Sequence, residues 1–114
     1  MTRLSLKQRG ERRVLHAQDH APDIRVCAAV SALTDALDIF LHNAPGVYLE
    51  AEALGSGEMY LSFWGGGERV QGAWEMAVLG LLAVARAAPE AVEVQVDLPG
   101  LQTAQRGDGR TVEA

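Results

Sequence analysis

Residues 23–43, DIRVCAAVSALTDALDIFLHN, decide how the rest of the chain is read. Asp23 is a good N-cap, and Pro22 just before it suits a helix entry. From Ile24 the apolar positions Val26, Val30, Leu33, Leu37, Phe40 and Leu41 recur at helical spacing, and Pro45-Gly46 stop the run near Asn43. The stretch is therefore one amphipathic helix. A second stripe, Cys27, Ser31, Thr34 and Asp38, follows the i, i+4, i+7, i+11 pattern about a quarter turn from the apolar one. A thiol among hydroxyls and a carboxylate, off the most apolar face, points to a groove rather than a core.

On the N-terminal side, Leu4 and Leu6 alternate with Ser5 and Lys7, Arg9-Gly10 makes a turn, and residues 11–17 return with Val14 and Leu15 as anchors. This is a β-hairpin with His16 at the end of its second strand, followed by a polar loop to Asp23. On the other side, strand-like runs Val47–Leu54 and Glu58–Trp64 flank Gly55-Ser56-Gly57 as a second hairpin. Gly65-Gly66-Gly67 lead into a helix over Val70–Ala88 that is apolar nearly all round, so burial on more than one side is expected. Pro89 ends it. Val92–Leu98 alternates as a last strand. The order ββαββαβ gives an α+β fold, a mostly antiparallel or mixed sheet covered by two helices, in one domain over residues 1–100. Residues 101–114 are polar and glycine-containing, and a disordered tail is expected there.

Composition sets the outer limits. The 114 residues are enough for one core without staples. With 48% hydrophobic and 22% charged residues the chain is an ordinary globular one, but only 5% are aromatic, so the core is built from small side chains. The single cysteine excludes an internal disulfide and a multi-thiolate zinc site. No signal peptide is visible, and the apolar run Gly72–Ala85, broken by Glu75, is too short to span a bilayer. A cytoplasmic protein without membrane association is expected. The net charge is −5, yet Arg3, Lys7, Arg9, Arg12 and Arg13 supply half of the ten basic residues. They read as the solvated face of an edge hairpin, and overall acidity opposes direct nucleic-acid binding.

The chemistry centres on Cys27. A thiol in the first turns of a helix is drawn towards thiolate by the positive end of the helix dipole. It also needs a base within hydrogen-bond reach. His42 lies too far along the same helix. His16, at the end of the strand, and His20, in the loop, both remain candidates. The simpler alternative is a small buried cysteine with two surface histidines. A metal site from His16, His20 and Cys27, completed by Asp19 or Asp23, is disfavoured because the segment is strand and loop rather than helix. No metal and no cofactor are expected. The three glycines lack the Lys-Ser/Thr ending of a phosphate loop and read as a strand-to-helix connection.

Leu15-His16-Ala17, the loop, and then Asp23-Ile24-Arg25-Val26-Cys27-Ala28-Ala29-Val30-Ser31-Ala32-Leu33 resemble the signature of the ribosomal-processing cysteine protease Prp family. That signature is Gly-His-Ala, about ten residues, then Asp-Ile-Val-Cys-Ala-Ala-Val-Ser-Ala-Leu. The resemblance extends over about residues 2–98. It implies a cysteine endopeptidase with Cys27 as nucleophile, His16 as general base, His20 as the alternative base, and Asp23 and Ser31 in support. It further implies a homodimer, a mobile glycine-bearing loop before the helix, and a protein substrate. That substrate is a large-subunit ribosomal protein carrying an N-terminal extension, or a phage structural-protein precursor. Leu15 stands for the glycine, Ala21-Pro22 stand in the loop, and Arg25 is an extra residue. These departures motivate a second reading, an inactive relative that serves as a protein-binding or structural module.

Overall fold

The computed structural model describes residues 1–55 and 57–99, so the expected tail at 101–114 lies outside the described residues. The elements are β1 (Thr2–Arg9), β2 (Arg12–Gln18), α1 (Ile24–Asn43), β3 (Val47–Gly55), β4 (Glu58–Gly65), α2 (Gly67–Ala87) and β5 (Val92–Asp97). The order is the expected ββαββαβ, and the fold is α+β. The strands form one mixed sheet in the order β3-β4-β2-β1-β5, with β1 and β5 parallel and the remaining neighbours antiparallel.

Strand periodicity decides which face is the core. Thr2, Leu4 and Leu6 of β1, Arg13, Leu15 and Ala17 of β2, and Met59, Leu61 and Phe63 of β4 are all buried. The apolar ones among them join Val30, Leu37 and Leu41 of α1 and Val70, Trp74, Val78 and Leu81 of α2 in one hydrophobic cluster. The helices therefore pack side by side on one face, and the alternate residues, among them Ser5, Val14, His16 and Tyr60, occupy the other. The shortest extent of the molecule is 17 Å, as two layers require.

Two expectations change. The basic hairpin is not at an edge: β1 and β2 lie inside the sheet, with β3 and β5 as edges. Its four arginines are all engaged. Arg3 pairs with Asp19, Arg9 with Asp97 and Arg12 with Glu50, while Arg13 is 2% exposed and points into the core. The second change concerns α2, whose 21 residues are long and apolar enough, by length and composition, to cross a membrane. Its stripe of Val70, Trp74, Val78 and Leu81 is fully buried within the domain, whereas Met76 and Leu79 on the opposite side are exposed, so the burial expected nearly all round is confined to the inner face.

Candidate functional site

The site is assembled where β2 ends. Asp19 takes a left-handed conformation, with φ of 69°. Its N–H donates to Gly57 O (2.7 Å), its carbonyl accepts from Thr2 Oγ1 (3.2 Å), and its carboxylate pairs with Arg3 (2.7 Å). The turn is thus held between β1 and the β3–β4 connection. Asp19 lies below the usual carboxylate range, first because of its hydrogen bond from Arg3. Ala21, 7% exposed, anchors the short loop in the core. His20 is set over Gly57, where an added Cβ would lie 3.4 Å from its Nε2.

The loop then enters α1. Asp23 caps the helix as expected, accepting from Arg25 N (2.8 Å) and pairing with the Arg25 guanidinium (2.9 Å). These contacts hold Asp23 below its ordinary value, the Arg25 side chain first and the Arg25 amide second. One turn in, Cys27 is half-buried, and its Sγ lies 3.5 Å from His20 Nδ1. That is within hydrogen-bond reach for sulfur, so thiol and imidazole form a pair.

His16 is not brought to the thiol. Leu15 and Ala17 face the core, so His16 between them must face the opposite side of the sheet. There its Nε2 meets Glu58 Oε2 at 2.8 Å and its ring stands edge-on to Tyr60, with centroids 5.4 Å apart. A one-residue slip would turn it round but would expose Leu15 and Ala17. The signal that separates the two histidines is a repeated dipeptide: His16-Ala17 recurs as His20-Ala21. Asp19 before the second copy holds the backbone conformation that glycine favours, which Asp visits more readily than most residues.

Around the pair lies a groove of about 300 Å³. Cys27, Ser31 and Thr34 line it from α1, Leu54 and Gly55 from β3, and Asp19 and His20 from the loop. The first three residues of the polar stripe read in the sequence therefore form a groove wall, while Asp38, the fourth, is buried outside it. Thr34 Oγ1 donates back to Val30 O (3.0 Å), so it shapes the wall rather than offering its proton. The helix-start amides are also engaged: Arg25 N by the Asp23 carboxylate, and Val26 N and Cys27 N by Asp23 O, each at 3.1 Å. What the helix start offers a developing charge here is its dipole.

No protein-family model matches this sequence, and no curated protein does. Solved structures match its fold. SMU.848 from Streptococcus mutans superposes with a TM-score of 0.65 at 24% identity, covering 86% of this chain and 95% of that one. The essential ribosomal processing protease Prp from S. aureus, in complex with a covalently linked product peptide, gives 0.69 at 13% identity, covering 85% and 100%. The same protease with a substrate peptide gives 0.66 at 10% identity, covering 85% and 100%. At these identities the likeness is one of fold: the chain has the architecture of the Prp ribosomal processing protease.

Proposed function

We propose that this chain is a cysteine endopeptidase in which Cys27 is the nucleophile and His20 the general base. The single observation that carries the reading is the 3.5 Å approach of His20 Nδ1 to Cys27 Sγ beside an open groove. His20 takes the thiol proton, and the thiolate attacks the peptide carbonyl. His20 then returns that proton to the leaving amine, and water releases the acyl group from sulfur. Asp23 supports the site by fixing the helix start, and Ser31 by lining the groove. The likeness in fold to a processing protease seen with substrate and product peptides supports a peptide occupant. The earlier resemblance supplies its class, a ribosomal-protein extension or a phage structural precursor. The reading includes a homodimer and a reducing, cytoplasmic setting for the lone thiol. Direct nucleic-acid binding is no part of it, since Arg3, Arg9 and Arg12 are already paired with carboxylates.

The test is to incubate the protein with candidate ribosomal and phage precursors from the same genome and follow cleavage by mass spectrometry. Cys27→Ala and His20→Ala should each abolish cutting, while His16→Ala should retain most of it. Cleavage that survives Cys27→Ala would end the proposal, and loss in His16→Ala but not His20→Ala would return the base to the strand. A second reading, an inactive binding module, is favoured by the engaged amides of Arg25, Val26 and Cys27, none of which is left to serve as an oxyanion donor. Alkylation separates the two. Rapid reaction of Cys27 with iodoacetamide at neutral pH, slowed in His20→Ala, belongs to the enzyme, and an inert thiol belongs to the module.

A further inference from the structure

Beyond the groove, at its far end, Asp38, His42 and Glu52 converge. Asp38 and His42 are an i, i+4 pair on α1, and Glu52 faces them from β3. His42 Nε2 lies 2.8 Å from Glu52 Oε2 and 3.6 Å from Asp38 Oδ1. One ligand atom from each residue falls within 4.8 Å of the other two. Asp38 is only 9% exposed, and its Oδ1, shut off from solvent and aimed at the imidazole, accepts no hydrogen bond. A buried carboxylate oxygen left in that condition is costly, and a cation is one of the few partners that would satisfy it.

From this geometry we propose that Asp38, His42 and Glu52 form a binding site for a zinc-like divalent ion. The donor set fits: one imidazole nitrogen and two carboxylate oxygens suit zinc, with bonds of roughly 2.0–2.2 Å. Tetrahedral ligands at that radius stand roughly 3.4 Å apart, between the 2.8 and 3.6 Å that separate His42 Nε2 from its two carboxylate neighbours. The imidazole argues against magnesium or calcium, which prefer oxygen alone. Three protein ligands leave the fourth position to water. The position of the site gives it a consequence. Thr34 and Asp35, one turn before Asp38, line the groove from α1, and Leu54, two residues beyond Glu52, lines it from the edge strand. An ion shared by α1 and β3 therefore clamps the two walls of the groove at a fixed separation.

The experiment uses the full chain carrying Cys27→Ala, so that the thiol and His20 cannot take up metal, stripped with a chelator and titrated with zinc at neutral pH. One zinc per chain should bind, with a rise in melting temperature. His42→Gln and Glu52→Gln, at exposed positions where folding should survive, should each weaken binding about tenfold or more. Cobalt in the same protein should give tetrahedral d–d absorption. Failure of saturable uptake would mean that protons alone hold the trio, and would overturn the proposal, as would uptake unaffected by both substitutions. Neither result bears on cleavage by Cys27, which is assayed separately.

Discussion

Two histidines four residues apart meet opposite fates because one lies in a strand and the other just beyond it. Alternation sends His16 to the open face, and the left-handed turn at Asp19 frees His20 from that alternation. The turn can be tested by substitution. A β-branched residue tolerates positive φ poorly, so Asp19→Val should destabilise the protein by about 1–3 kcal/mol in urea unfolding. Asp19→Gly relieves the backbone while losing an exposed pair with Arg3, and should change stability by less than about 1 kcal/mol. The two variants behaving alike would show that the turn is not what sets the loop. That Cys27 would lie at a groove was legible in the sequence, from its place after a good cap and from the hydroxyls beside it. Which histidine would stand beside it was not, because that depends on where β2 ends, and one residue there reverses a side chain's direction.

Elements were more legible than residues. Both helices and all five strands lie within a few residues of where apolar spacing and Gly/Pro punctuation put them, since those signals are local. The place of each strand in the sheet is not local, and so the β1–β2 hairpin read as an edge lies in the middle. Its burial draws Arg13 into the core, where the guanidinium donates to Gln71 Oε1 (3.0 Å) and Gly65 O (3.2 Å) and stacks over Phe63. Arg13→Ala should cost about 3 kcal/mol in unfolding free energy, from a cavity and an orphaned carbonyl. Arg13→Met fills the space of the stem and removes a buried charge, so it should cost clearly less. Equal losses would locate the whole effect in the guanidinium. The junction that Gly65 opens is equally exacting. Gly66, at φ 85°, has no room for a Cβ against Val70 and Val47. Gly66→Ala should therefore lower stability by about 2–4 kcal/mol without altering the groove's chemistry.

For the molecule as a whole, charge sets a stability optimum with two limbs. Asp19 and Asp97 are held below their ordinary values first by arginine hydrogen bonds, from Arg3 and Arg9, and Glu50 first by Ser62 and then by Arg12. A depressed carboxylate stabilises the fold above its unfolded value and loses that contribution as pH falls, so the acid limb drops below about pH 4.5. Asp38 has the opposite sign. Burial first, and Glu52 next, push it up to about 6 from an unfolded 3.8. Its protonated form is favoured in the fold, so that contribution is present in acid and lost as pH rises through about 6. His42, raised chiefly by its hydrogen bond to Glu52, acts in the same direction at higher pH. In chelator, the urea midpoint should therefore peak near pH 4.5, where the acid limb levels off, and decline from there through about pH 6 towards neutrality. Asp38→Asn should flatten the decline, gaining about 1–3 kcal/mol on the parent between acid and neutral pH. A variant that follows the parent's slope would place the titrating group elsewhere. With zinc present the neutral limb of the parent should rise, because a dication offsets the carboxylate charge that Asp38 carries once its proton is gone, and the variant should show little of that rise.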